Sequence, residues 1–283
     1  MYDAKKEDVY MFSYTSGTTG DPKGVMLSHQ MIIGAAFAVN SRMGDKPMTE
    51  EDCYVSYLPA AHSFEQAVFG LAGVYGMKCG FFGGNVLKLT EDMAILQPTL
   101  FPSVPRLFNR IYGKIKDGIN SATGIKGWLV NSAVNTKMNN LKAGNGLTHG
   151  LYDKIVFNKM KNLLGGRVRM MITGSAPISG EVLDFLKICF SCDICEGYGM
   201  TETCAGSCIT FPGDPETGIV GGPLNNVKLR LKDLPEMNYL SSNDPPKGEI
   251  CFWGPSIMKG YFRNAEKTKE AFHDDWLLSG DVG

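Results

Sequence analysis

No apolar run in this chain is long enough to cross a bilayer. The longest, Met31 to Val39 and Ala67 to Met77, fall well short of the ~18–20 residues that a membrane helix needs. No charged-then-apolar leader precedes the first motif, so export is not expected. Net charge is almost nil, with 28 Lys and Arg against 29 Asp and Glu, and selects no partner by bulk attraction. Repeats and low-complexity segments are missing. Eight cysteines in 283 residues do not make the disulfide framework of a small secreted domain. Together these absences predict a non-spanning chain of a reducing compartment, on the cytoplasmic side of any membrane it touches.

One absence is local. Between Arg106 and Arg169 the only acids are Asp117 and Asp153, against twelve Lys and Arg. The stretch carries about +10, offset elsewhere. Two readings fit: a solvated helix face, or a surface for anionic lipid or a phosphorylated substrate. Nucleic acid is not expected, because few aromatics interleave with these charges.

Hydrophobic residues make up 43% of the chain and charged ones 20%, enough apolar material for a real core. Residues 9–16 read as a strand feeding a Gly/Thr loop, and residues 28–42 as a helix that Ser28 caps. Thr99 to Val104 is strand-like. From Pro105, the residues Leu107, Phe108, Ile111, Tyr112, Ile115 and Ile119 follow the helical period. Residues 121–150, rich in Asn, Gly, Ser and Lys and weakly periodic, read as a surface excursion. A strand over 167–173, a turn at 174–177 and a helix over 180–190 follow. Alternating strands and helices predict an α/β fold with mostly parallel sheets flanked by helices. From about Gly213, short strand candidates (227–232 and 248–253) between turn residues predict a smaller β-rich subdomain, a distorted barrel, at the C-terminal end. The expected division is 1–212 and 213–283.

The most informative run is Tyr14-Thr-Ser-Gly-Thr-Thr-Gly-Asp-Pro-Lys-Gly-Val25. Its glycines let backbone N–H groups approach an anion, and Thr15, Ser16, Thr18 and Thr19 add hydroxyl donors. Lys23 supplies a compact positive charge. That donor set suits a polyphosphate, although the Gly-x-x-x-x-Gly-Lys-Ser/Thr order of the Walker loop is absent.

The run resembles the phosphate-binding signature of the adenylate-forming superfamily, which includes acyl-CoA synthetases, luciferases and peptide-synthetase adenylation domains. Gly197-Tyr-Gly-Met-Thr-Glu-Thr203 is similar to that superfamily's adenine and metal motif. Gly174-Ser-Ala-Pro177 resembles its adenine-flanking turn, Ser279-Gly-Asp281 its ribose motif, and Gly248 to Tyr261 the segment leading to that Asp. Phe101 to Tyr112 and Pro235 to Tyr239 are most similar to eukaryotic-type long-chain fatty acid–CoA ligases.

The resemblance implies attack of a carboxylate on the α-phosphate of ATP, then displacement of AMP by coenzyme A. It places Thr15, Ser16, Gly17, Thr18, Thr19, Gly20 and Lys23 on the β- and γ-phosphates. Thr201 would meet the α-phosphate and Glu202 would help hold Mg²⁺. Gly174, Ser175, Ala176, Glu196, Gly197, Tyr198 and Gly199 would surround the adenine, with Tyr198 stacked on it. Asp281 would accept from both ribose hydroxyls. Catalytic roles fall to Lys23, Thr201 and Glu202, and contact with the acyl group to His62, Gly174 and Gly199.

Alternatives stay open at several points. His62, in Tyr57-Leu-Pro-Ala-Ala-His-Ser-Phe-Glu-Gln66, reads equally as a wall of the acyl site or as structure. The Gly-rich run from Gly70 to Gly84, with Phe69, Tyr75, Phe81 and Phe82, reads as a tunnel lining or as tight helix packing. No Asp that could hold a substrate amine stands near His62, which favours an acid without one. An aryl or medium-chain acid, or a nucleotide-binding module without turnover, are the competing functions. Cys189-x-x-Cys192-x-x-Cys195 has iron–sulfur spacing, but Gly199 stands where a fourth Cys is expected, so these thiols read as small buried hydrophobes. In the superfamily a hinge and a small domain with a catalytic Lys follow the ribose motif. Neither is in this sequence, so little turnover is expected from it alone.

Overall fold

The computed structural model describes residues 3–15 and 21–283. Strand β1 (Val9–Thr15) and strand β2 (Lys23–Ser28) form an antiparallel hairpin, with Thr15 opposite Lys23. The sequence reading has no strand between the loop and the first helix; β2 is that strand, and it brings the two ends of the phosphate-type loop together. Helix α1 (His29–Arg42) follows, and the Ser28 Oγ accepts from the Met31 N–H at 3.3 Å, the expected cap.

A seven-stranded sheet carries the rest of the larger part. Its strands are β3 (Cys53–Ser56), β4 (Lys78–Phe81), β5 (Leu100–Ser103), β6 (Met170–Thr173), β7 (Asp193–Tyr198), β8 (Cys208–Ile209) and β9 (Gly222–Pro223), in the order β4-β3-β5-β6-β7-β8-β9. The pairs from β4 to β7 are parallel, and β7-β8 and β8-β9 are antiparallel. Parallel strands buried on both faces read as continuous apolar runs, as Met170–Thr173 does, with all four residues buried.

The connecting helices are α2 (Ser63–Tyr75), α3 (Leu89–Leu96), α4 (Pro105–Asn120), α5 (Gly124–Lys142), the short α6 (Gly150–Tyr152) and α7 (Asn158–Lys161), and α8 (Gly180–Phe190). One core joins α3, α4, α5 and α8 to the sheet through Met93, Phe108, Ile115, Ala133 and Leu186. A second joins α1 and α2 to it through Ala36, Val68 and Leu71. The sheet is therefore covered on both faces.

Residues 121–150 correct the sequence reading: they hold α5, a 19-residue helix and not a surface excursion. Its buried positions are Gly127, Ala133 and Lys137. Two of these are small and one is charged, while Val130, Val134, Met138 and Leu141 pack against the core only partly buried, so the apolar stripe is weak and interrupted by Asn and Lys. The Lys137 ammonium donates to Asp153 Oδ1 and Ser191 Oγ, each at 2.7 Å. It also lies 4.2 Å from the Phe157 ring centroid.

The last part is a four-stranded antiparallel sheet, β10 (Lys228–Lys232), β11 (Glu249–Trp253), β12 (Phe272–His273) and β13 (Trp276–Val282), ordered β10-β11-β13-β12. Helix α9 (Ala265–Glu270) precedes β12. A bulge between Glu249 and Cys251 sharpens the local twist.

The thiols follow the packing reading. All eight cysteines are free. Cys189 and Cys192 lie in the core on one side of the sheet and Cys195 in the core on the other. Burial pushes Cys195 and Cys204 up to about 12 and Cys208 up to about 11, so they are neutral at physiological pH. Among the described residues no helix is long and apolar enough to cross a membrane.

Candidate nucleotide and acyl site

The carboxyl ends of β6 and β7 open into a cavity of about 620 Å³, where open α/β sheets place their ligands. Thr15 and Lys23 reach it from the hairpin, Gly174 and Ser175 from the turn after β6, and Gly197, Gly199, Thr201 and Glu202 from β7 and the turn beyond it. Segments far apart in sequence thus share one wall. Ser13 Oγ, donating to the Ala61 carbonyl at 2.9 Å, ties the hairpin to the His62 loop. Ser16, Gly17, Thr18, Thr19 and Gly20 lie outside the described residues.

Glycine is required at two points. A Cβ at Gly199 would collide with the Ala205 carbonyl oxygen, and one at Gly174 would stand 3.2 Å from the Gly197 carbonyl oxygen. These contacts keep the turn after β7 folded tightly and bring two backbones to the cavity edge. Ser175 holds φ +74°, a conformation that costs of order 1–3 kcal/mol for a non-glycine residue and that clusters at binding sites.

Glu202 is buried, and its carboxylate Oε1 accepts from the Tyr261 hydroxyl at 2.7 Å. The Met258 N–H donates to the Glu202 carbonyl at 2.8 Å. Lys23 Nζ sits 4.6 Å from the Tyr261 ring centroid. Tyr261 therefore joins the two charged residues, one through its ring and one through its hydroxyl. Burial, then the Glu202 acceptor, push its phenol far above the ordinary range, so it remains a donor. Sequence reasoning gave Tyr261 no role; its position closing the Gly248–Tyr261 segment was the available signal. Lys267 and Glu270, paired at 2.6 Å on α9, also line the rim, and nothing in the sequence pointed to them.

Among the described residues no group of three or more His, Cys, Asp or Glu could cage an ion by itself. One buried carboxylate at the polar end fits a Mg²⁺ that takes one or two protein oxygens and fills its shell with phosphate oxygens and water.

Four expected contacts stand outside the cavity wall. Ala176 is an exposed turn residue. Glu196 is buried, and burial raises its carboxyl while the Gly218 backbone and Lys187 only partly oppose this. The Tyr198 hydroxyl donates to Asp281 Oδ2 at 2.7 Å, which joins the Gly197–Thr203 and Ser279–Asp281 motifs, while the neighbours Ser279 and Gly280 line the cavity.

Away from the charged end the wall becomes apolar: Ala35, Ala36 and Val39 from α1, Ala67, Val68 and Leu71 from α2. The Gly-rich run enters this wall only through Leu71. Its glycines serve packing: a Cβ on Gly70 would strike the Ile32 side chain, and one on Gly80 would press on Leu96.

His62 combines a structural cap with a place on the cavity wall. It lines the cavity, and its Nδ1 accepts from the Phe64 N–H at 3.1 Å, capping α2. Although the residue keeps an exposed edge, desolvation where it meets the cavity wall lowers its pKa from the ordinary histidine value. The unfolded chain then takes up the proton first, so stability should fall as pH drops below ~6.5 toward the folded value. We expect His62→Asn, which keeps a capping acceptor without titrating, to melt with a flatter dependence between neutral and mildly acid pH. Parallel melting curves for the two proteins would contradict this.

The model of a family described as "AMP-binding enzyme" matches residues 2–262. Long chain acyl-CoA synthetase 6, peroxisomal, of Arabidopsis thaliana is 45% identical, over 100% of this chain and 40% of its own length. Long-chain-fatty-acid–CoA ligase 5 of Rattus norvegicus is 46% identical, over 98% and 40%. Ligase 1 of Homo sapiens is 42% identical, over 98% and 39%. Among solved structures, o-succinylbenzoate coenzyme A synthetase of Bacillus subtilis in complex with ATP and magnesium ion superimposes with a TM-score of 0.70 at 20% identity, over 99% of this chain and 48% of that one. The N-terminal domain of FACL13 of Mycobacterium tuberculosis also gives 0.70, at 19% identity, over 100% and 59%. The chain thus spans about two-fifths of the length of the curated relatives it matches.

Proposed function

Because this chain belongs to the AMP-binding enzyme family, we propose that it forms the nucleotide- and acyl-binding part of a long-chain fatty acid–CoA ligase. The observation that carries this reading is the two-ended cavity. A charged end with Lys23, Thr201 and Glu202 passes into an apolar one between α1 and α2. An acyl-adenylate has the same division. The names of the curated relatives support the long-chain acid and coenzyme A.

In the proposed reaction a fatty acid carboxylate oxygen attacks the α-phosphorus of ATP and pyrophosphate departs. The thiol sulfur of coenzyme A then attacks the acyl carbonyl carbon and AMP departs, taking the bond that joined it to the acyl group. The protein's part is positioning and charge neutralisation. Lys23 and Thr15 would take the β- and γ-phosphates, together with Ser16, Gly17, Thr18, Thr19 and Gly20. Thr201 would donate to the α-phosphate. Bound at Glu202, Mg²⁺ would supply charge neutralisation on phosphate oxygens; the Tyr261 hydroxyl keeps that carboxylate aimed. Gly174, Ser175, Ala176, Glu196, Gly197, Tyr198 and Gly199 would border the base, Asp281 the ribose, and His62 the acyl carboxylate. The division at about residue 213 belongs to the same reading, with the antiparallel sheet closing the ribose side.

Calorimetric titration with non-hydrolysable acyl-sulfamoyl adenosines tests this. The long-chain analogue should bind more tightly than the acetyl one by at least about tenfold, since each buried methylene contributes ~0.8 kcal/mol. An aryl analogue binding more tightly than the long-chain one would move the assignment to another acid. Equal affinity for all would leave a nucleotide module without an acyl site.

A further inference from the structure

The corner where α4 turns into α5 is apolar at its tip and basic around it. Ile125 is 85% and Trp128 70% exposed. They are separated by three positions on a helix, hence neighbours on one face. Lys126 lies between them and is exposed. Between Asp117 and Asp153 the chain carries no acidic residue. The neighbouring α6 segment adds exposed Leu151 and Ile155, and Tyr152, bonded to Ser132 at 3.1 Å, holds it one turn beyond Trp128. Exposed Lys154 flanks it. On α4, Lys114 stands within roughly 10 Å of the corner, at 1.5 Å per residue, with Asp117 one turn nearer to it. The packed helix α8 brings Glu181 and Asp184, and Glu181 is held by the Tyr112 hydroxyl.

A second exposed apolar group, Phe81, Leu87 and Ile95, provides the contrast. Its surround is mixed in sign, with Lys88 beside Leu87 and Glu91 and Asp92 before Ile95. At the α4–α5 corner the exposed apolar tips instead enclose a lysine, Lys126, and no acidic residue lies between positions 118 and 152.

We propose that this corner docks on an anionic lipid bilayer, with Ile125 and Trp128 seated at the headgroup–acyl boundary and Lys126, Lys114 and Lys154 against lipid phosphates. An indole suits that boundary, having an apolar body and one N–H donor. Basic residues add attraction that reaches only about a Debye length, ~8 Å at physiological salt. The inference does not rest on the ligase reading, since it is measured without nucleotide or acid.

Cosedimentation of the purified chain with large vesicles tests it. Vesicles of phosphatidylcholine containing one-third phosphatidylserine should carry the protein down, less so as salt rises, while pure phosphatidylcholine should carry little. Ile125→Ser with Trp128→Ser should lower the partition coefficient about tenfold or more. Lys126→Glu with Lys154→Glu should lower it on the anionic vesicles and leave thermal melting unchanged. Ile95→Ser, in the group of mixed charge, should leave it unaltered. The proposal is overturned if the wild-type chain stays in the supernatant, if the serine pair sediments like wild type, or if Ile95→Ser reduces binding equally. A concentration-dependent dimer that the serine pair abolishes, without lipid binding, would assign the corner to a protein contact and overturn it as well.

Discussion

Replacing Lys137 by Ala is expected to destabilise the fold by about 3–5 kcal/mol, the cost of leaving one partner of a buried ion pair alone. In a domain of this size that corresponds to a fall in melting temperature on the order of 10 °C. Lys137 is fully buried in α5, where the other buried positions are Gly127 and Ala133. Its ammonium bridges α5 to Asp153 of the segment between α6 and α7 and to Ser191, which ends α8. Removing it takes the close cation from the Asp153 carboxylate, which then keeps the His149 N–H, the Ser191 hydroxyl at 3.3 Å and, at 3.9 Å, Lys161. Combining Lys137→Met with Asp153→Ala should recover much of the loss, because no uncompensated charge then remains and the apolar stem still packs on Phe157. Equal melting temperatures for wild type and Lys137→Ala, measured by calorimetry, would show that the pair contributes nothing net.

The second large effect concerns the acyl end. Ala67 lines the cavity from α2, facing the Ala35 and Ala36 side of α1. Exchange for Phe adds a ring where the chain of a long acid is proposed to lie. The long-chain acyl-sulfamoyl adenosine should lose about a hundredfold or more in affinity, roughly the worth of three or four buried methylenes. The acetyl analogue, which does not reach that depth, should change by less than about threefold. Both losing affinity equally would place the ring in the nucleotide end and break the proposed division of the cavity.

How far the sequence could be read depended on where burial is apolar. Helix α4 was legible because Phe108, Ile111, Ile115 and Ile119 are all buried on one face. The Ser28 cap, the turn at 174–177 and α8 were legible because capping and turn chemistry is local. Helix α5 was not, because its buried positions are a glycine, an alanine and a lysine whose partner lies sixteen residues on, and its larger apolar residues pack only partly buried among Asn and Lys. Strand β2 was hidden inside the loop motif: Lys23 to Ser28 pairs with β1, and pairing across a loop is not a local property.

The site divides in the same way. Motif residues that approach by backbone, Gly174, Gly197 and Gly199, and those carrying charge, Lys23 and Glu202, meet at one cavity. Tyr261 escaped because its work is to join two of them. The apolar wall escaped because alanines and valines on α1 and α2 look, in sequence, like any helix core. His62 shows why a single residue can resist a choice between structure and site: one ring nitrogen caps α2 while the residue lines the cavity.

The most direct measurement of where the acyl chain goes is photo-crosslinking with a long-chain acyl-sulfamoyl adenosine that carries a diazirine at its terminal carbon. After irradiation and peptide mapping, the label should fall on the α1 and α2 peptides, at Val39, Ala67 or Leu71, and excess adenosine analogue with a short chain should suppress it. Label on the outer face of the four-stranded sheet, or spread evenly over the surface, would contradict a single cavity shared by nucleotide and acyl chain.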